Sequence, residues 1–218
     1  MKLYGALASP YVARVVLFAR LKGIDLVPEM PPGGIKTPEY LAKNPMGKMS
    51  ALEVDGTVIP ESEVICEYLE DLHPGGGGLP GDALDRARAR LVSRVHDMYM
   101  TSAESTLFRN LNPASRDAAA VAAAKASVES GYGYLSHFVR AAPYAAGSRL
   151  SLADCTLLPS LALFRKVLLP AYGLADPVAG AGNLARWWTA CGADPVTGPF
   201  IEEYSTAVDA FLRMLAGK

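Results

Sequence analysis

The stretch from Asn44 to Glu70 holds the residue types and spacings that bear most on chemistry. Asn44-Pro45-Met46-Gly47-Lys48 precedes two short apolar runs, Leu52-Glu53-Val54 and Thr57-Val58-Ile59. Asp55-Gly56 between the runs predicts a tight hairpin. Pro60-Glu61-Ser62 then opens a segment in which Val64, Ile65, Tyr68, Leu69 and Leu72 recur at helical spacing. Ser62 is the expected N-cap, where free backbone N–H groups and the positive end of the helix dipole meet. Such a helix start can hold both charges of an amino-acid head group. The N–H groups and Ser62 would take the carboxylate, and Glu61 the ammonium.

Other reactive residue types carry less. Cys66, Cys155 and Cys191 lie far apart with neither C-x-x-C nor metal-ligand spacing, so they read as reduced thiols and no metal is expected. His96 and His137 are isolated on helical segments. Ser9-Pro10 by itself is a common pair at the N-cap and first position of a helix.

The elements that would position these groups alternate in the first third. Lys2–Ala6 predicts a strand, Pro10–Lys22 a helix stopped by Gly23, and Asp25–Glu29 a second strand at a sheet edge, where Pro28 does no harm. A short helix near Thr37–Lys43, the hairpin and the Ser62 helix complete a small mixed sheet with helices. The glycine and proline run from His73 to Gly81 divides the chain. Residues 1–74 form the expected first domain, 75–81 a linker and 82–218 a second, all-helical domain.

In that second part, Asp82–Asn110 predicts one long helix, its arginines (Arg86, Arg88, Arg90, Arg94) accompanied by acids on a solvated face. Ser115–Val139 is an alanine-rich helix. Leu150-Ser151-Leu152-Ala153-Asp154 predicts a capping box ahead of an apolar helix, Cys155–Leu169, with Pro159 in its first turns or at a kink. Leu184–Cys191 and Glu202–Leu215 supply two more. The 218 residues are half apolar with a net charge of −1, which gives no electrostatic reason to expect nucleic acid or an anionic membrane. No stretch suits a membrane span or a signal peptide, so a cytoplasmic protein is expected.

In order and spacing, N-P-x-G-K, the hairpin, the Glu61-Ser62 pair, Ser9-Pro10-Tyr11-Val12-Ala13-Arg14-Val15 and Ser151-Leu152-Ala153-Asp154 resemble a cytosolic glutathione transferase of the serine-type, bacterial kind over essentially the full length. The resemblance implies an α/β thioredoxin-like N-terminal domain that binds glutathione, and an all-α helical-bundle C-terminal domain that lines the site of a small electrophile. It also implies a homodimer, with glutathione as co-substrate. The thiolate is the nucleophile, so its formation must be favoured by donors or positive potential. Ser9 is then the activating residue, with Tyr4 and Tyr11 as alternative donors. Glu61 and Ser62 take the γ-glutamyl end, Met49 offers its backbone to the cysteinyl unit with Ser50 beside it in the glutathione site, and Lys36 and Lys48 face the glycine carboxylate. Family members have proline after the Met49 position and this chain has Ser50. The Met49–Ser50 peptide is therefore either a non-proline cis bond or trans, with a shifted Met49 backbone. Tyr11, His96, Tyr99, Met100 and Arg165 are the expected second-substrate residues. Two further functions remain open: a glutathione-dependent isomerase of a cis-enoic diacid, which would want Arg14 and Arg165 facing the pocket, and a non-catalytic glutathione- or ligand-binding protein.

Overall fold

The computed structural model describes residues 1–79 and 81–216. Pro80 of the expected linker, and Gly217 and Lys218 of the expected helical domain, lie outside them. The first part runs β1 (Lys2–Tyr4), α1 (Pro10–Leu21), β2 (Pro28–Glu29), α2 (Pro38–Lys43), β3 (Ala51–Val54), β4 (Thr57–Pro60) and α3 (Ser62–Leu72). The sheet order is β2-β1-β3-β4, with β1 parallel to β2 and antiparallel to β3. Leu3 sits opposite Leu52 and Ala51 opposite Pro60, and β2 is an edge, as Pro28 requires. Both early strands are shorter than the sequence suggested. β1 stops at Tyr4 because Gly5 turns the chain at φ +148°, between Val12 and Met49; a Cβ there would lie 2.4 Å from Val12 Cγ2.

Eight consecutive residues of α1, Val12 to Ala19, are buried. A helix covered on all sides is fixed on all sides. It packs against α3, and against α7 (Leu152–Leu163) and α10 (Thr197–Ala216) of the second part. The residue at its N-terminus is thereby held rigidly. α7 is the central helix of the second part, buried without a break from Leu152 to Leu161. Its start is organised by Asp154, fully buried, which accepts from Ser151 N, Ser151 Oγ, Ala145 N and Trp187 Nε1, each at 2.8 Å.

The long helix expected over 82–110 is two helices, α4 (Ala83–Tyr99) and α5 (Thr101–Arg109), broken at Met100. The break follows from packing. Met100 is fully buried against Gly131 of α6 (Ala118–Phe138), where a Cβ would lie 2.4 Å from Met100 Cγ. The expected 155–169 helix starts earlier, at Leu152, and widens into a π-helical turn at Phe164–Leu168 before α8 (Leu169–Tyr172). α9 (Asn183–Ala193) and α10 complete the helical part. No helix of the described residues is long and apolar enough to cross a membrane.

Candidate active site

A cleft of about 1010 Å³ lies between the two parts. One wall is built from the start of α1, the 44–50 loop and the start of α3; the other comes from α4, α5, the π-helical turn and α10.

Ser9 is the N-cap of α1 and lines the cleft. Its hydroxyl caps no backbone N–H among the described residues. Its carbonyl accepts from Ala13 N at 2.9 Å, and the preceding Ala8 carbonyl accepts from the Tyr204 hydroxyl at 3.3 Å. The loop is pinned while the Ser9 oxygen stays uncommitted. Tyr11 also lines the cleft, and burial, more than the nearby acids Glu104 and Asp97, raises its pKa and keeps it a phenol. Tyr4 is not available to the cleft. Its hydroxyl donates to Glu53 Oε2 at 2.6 Å, and its ring packs edge-on against Tyr40.

Asn44 explains the N-P-x-G-K motif. Buried, it donates from Nδ2 to the Lys48 carbonyl at 3.0 Å and accepts from Met46 N at 3.2 Å. The Tyr40 hydroxyl also donates to the Lys48 carbonyl, at 2.8 Å. Gly47 takes φ +56°, and these bonds deliver Lys48, Met49 and Ser50 to the cleft wall. The Met49–Ser50 peptide is cis. Ser50 is buried, and its Oγ has no hydrogen-bond partner. Lys36 does not line the cleft; it is exposed, with its ammonium beside Gly47 at the rim.

At the start of α3 the expected cap is displaced by one residue. Glu61, not Ser62, is the N-cap, at φ +70° and ψ 113°. This conformation turns the chain sharply out of β4 and puts Ser62 inside the first turn. A left-handed non-glycine residue costs on the order of 1 kcal/mol and tends to occur where function holds it. Glu61 and Ser62 both line the cleft, and Glu61 is exposed.

Across the cleft, Arg94, Asp97, Met98, Thr101, Glu104, Ser105 and Phe108 form one stripe at three- and four-residue steps along α4 and α5. Of the expected second-substrate residues, only Tyr11 lines the cleft. Tyr99 points to solvent, edge-on to Tyr134. Met100 is core, for the reason given above. Arg165 is bonded to Asp176 at 2.9 Å and lies over Trp188. His96 lies behind the stripe, buried, with Nδ1 3.1 Å from Asp97 Oδ1 and Nε2 3.3 Å from Glu104 Oε2. Burial alone would lower its pKa, but Glu104 and Asp97 outweigh that and raise it to about 9. It is an imidazolium holding two cleft carboxylates rather than a pocket residue. Asp97 is also bound by both Nη atoms of the buried Arg14, at 2.8 and 2.6 Å. Burial opposes its charge, yet His96 and Arg14 hold its pKa well below the usual carboxylate range.

The three cysteines are buried away from the cleft, and burial pushes their thiols up, which makes them poor nucleophiles. No group of three or more metal-ligating side chains occurs among the described residues.

Comparison with known proteins settles the family. The model of the glutathione S-transferase N-terminal domain matches residues 3–77, and that of the C-terminal domain matches residues 118–190. The chain belongs to the glutathione S-transferase family. It is 32% identical over 195 residues to a probable glutathione S-transferase of Oryza sativa subsp. japonica, covering 86% of this chain and 82% of the relative. It is 31% identical over 167 residues to the maleylacetoacetate isomerase of Mus musculus, covering 73% and 76%. Among solved structures, glutathione transferase F7 from Populus trichocarpa superposes with a TM-score of 0.75 at 27% identity, over 93% of this chain and 98% of that one. The thioredoxin-like first part and the helical second part are the glutathione transferase fold, and the family's substrate is glutathione.

Proposed function

We propose that the chain transfers glutathione to small, largely apolar electrophiles, by aromatic substitution or conjugate addition, and that Ser9 activates the thiol. The observation that carries this reading is the uncommitted Ser9 hydroxyl at the rigid N-terminus of α1, facing the cleft. A donor there, reinforced by the helix dipole, favours S⁻ over SH. The sulfur attacks; Ser9 does not. Glu61 and Ser62 hold the γ-glutamyl end, the Met49 backbone pairs with the cysteinyl unit, and Lys48, with Lys36 at the rim, faces the glycine carboxylate. In this reading residues 1–74 bind glutathione, 75–81 link, and 82–218 shape the electrophile site, in a cytoplasmic homodimer.

The test is the ultraviolet absorbance of bound glutathione thiolate, titrated in the native protein and in Ser9→Ala. A charged hydrogen bond contributes roughly 1.5–3 kcal/mol, so the variant should raise the bound thiol's pKa by about 1–2 units. Turnover near neutral pH should fall about 10- to 100-fold with glutathione affinity nearly intact. An unchanged titration would remove Ser9 from the role. Absence of any thiolate in the native protein would favour a non-catalytic glutathione carrier.

The isomerase alternative is less well supported. It would want arginines facing the pocket: Arg14 lines the cleft but is bonded to Asp97, and Arg165 does not line it and is bonded to Asp176.

A further inference from the structure

Two arginines line the cleft, Arg14 and Arg94, and several on the helices around it are neutralised by acids. Arg14 is bonded to Asp97, Arg88 to Asp85, Arg90 to Glu67 and Arg165 to Asp176, and Arg86 pairs with Glu70. Arg94 is exposed, lines the cleft, and forms no ion pair among the described residues. Its Nη2 donates to the thioether of Met98 one turn along α4, at 3.0 Å. The neighbouring acids have other partners, although Glu63 lies near enough for the charge of Arg94 to act on its carboxyl. Glu63 on α3 accepts from Ser93 Oγ at 3.3 Å, and the two oxygens of Asp97 are taken by Arg14 and His96. A thioether is a weak acceptor, so an oxygen that carries or gains negative charge is a much better partner for this guanidinium.

Arg94 shares a helix face with a residue bonded to α1. Asp97, one turn further on the same helix face, is bonded to Arg14, which follows Ser9 by five residues on α1. Met98, Phe108, Leu163 and Phe164 give the surrounding wall an apolar surface for a substrate's body.

We propose that Arg94 is a catalytic residue of the electrophile half, donating to the carbonyl oxygen of an α,β-unsaturated carbonyl substrate while glutathione adds. This rests on the transferase reading above and gives its substrate class. The thiolate's electron pair forms the S–C bond at the β-carbon. The carbon–carbon π pair moves to form the enolate, and the negative charge appears on the carbonyl oxygen, where Arg94 meets it. Water then protonates the α-carbon, replacing the proton that left the thiol. The donor is in place before the charge develops, which is what makes such stabilisation effective.

The test compares an enone with an electrophile of similar bulk that has no oxygen: 4-phenyl-3-buten-2-one and benzyl chloride, each with glutathione and the full chain. In Arg94→Met, the ratio of kcat/KM for the enone to that for the halide should fall about 30-fold, the scale of one charge-assisted hydrogen bond. Arg94→Lys should restore part of the ratio, and glutathione binding should not move in either variant. An unmoved ratio in Arg94→Met, with the native protein using both substrates, overturns the role of Arg94 and leaves the transferase reading standing. A native protein that uses the halide alone also overturns it. Turnover of neither substrate overturns both readings.

Discussion

Raising the pH should remove about 3 kcal/mol of folding stability through one imidazole, His96. Its ordinary pKa of 6.5 is raised to about 9 in the folded chain by Glu104 and Asp97, against the opposing effect of burial. A raised pKa means that the folded state binds the proton more tightly than the unfolded chain. The stabilisation is fully present below 6.5 and is lost between 6.5 and about 9 as the unfolded, then the folded, imidazole gives up its proton. A gap of that size corresponds to about 3 kcal/mol at roughly 1.4 kcal/mol per unit. The three buried thiols, whose pKa values are also raised, take away further stability in the alkaline range, so the native protein alone does not isolate the histidine. His96→Gln does. Unfolding free energies of both proteins, from urea titrations read by tryptophan fluorescence from about pH 6 to about pH 9.5, should differ by about 3 kcal/mol at the acid end and converge at the alkaline end. A constant difference across the range would refute the reasoning, because it would mean that His96 carries no proton between the two carboxylates.

The remaining predictions concern separate parts of the chain. Asp154→Ala leaves donors at Ser151, Ala145 and Trp187 without an acceptor in the core, and unfolding measurements should show a loss of about 4 kcal/mol. A loss under about 1 kcal/mol would mean that water replaces the carboxylate. Gly131→Ala drives a methyl into Met100, and should cost about 1–3 kcal/mol and loosen the α4–α5 break, measured as a lower urea midpoint and faster amide exchange over 96–104. Glu61→Ala should weaken glutathione about tenfold by calorimetry, the scale of one charged contact, while leaving kcat at saturating glutathione almost unchanged.

The wall of the cleft built by the first part was more legible in the sequence than the wall built by the second, and the reason is locality. The hairpin, the start of α1 and the start of α3 follow from turn residues and short-range periodicity, so Ser9, Lys48, Met49, Ser50, Glu61 and Ser62 could be placed within a residue or so of the cleft wall. The one-residue error at Ser62 came from Glu61, whose left-handed conformation has no signature in a Pro-Glu-Ser sequence. Asn44 was visible as part of a motif, but its bonds to a carbonyl four residues on were not. In the second part the helices themselves were legible, but their packing was not. Periodicity shows which face of a helix is apolar, yet Arg94, Asp97, Met98, Thr101, Glu104 and Phe108 mix charge with hydrophobicity on one face and so look like neither core nor surface.

The break at Met100, which takes φ −120°, separates α4 from α5 within that stripe. Glu104 on α5 reaches back to His96 on α4, and the imidazolium bridges the carboxylates of Asp97 and Glu104. Arg14 grips Asp97 from α1. A buried ion pair contributes little net stability compared with apolar residues of the same shape. What it adds is geometry, because each charge in the chain Arg14–Asp97–His96–Glu104 is costly to separate from the next. The helix that presents Ser9 and the helices that present Arg94 and Phe108 are therefore held at one separation. In the proposed transferase reading, a nucleophile bound on one wall then meets an electrophile seated on the other without either wall having to move.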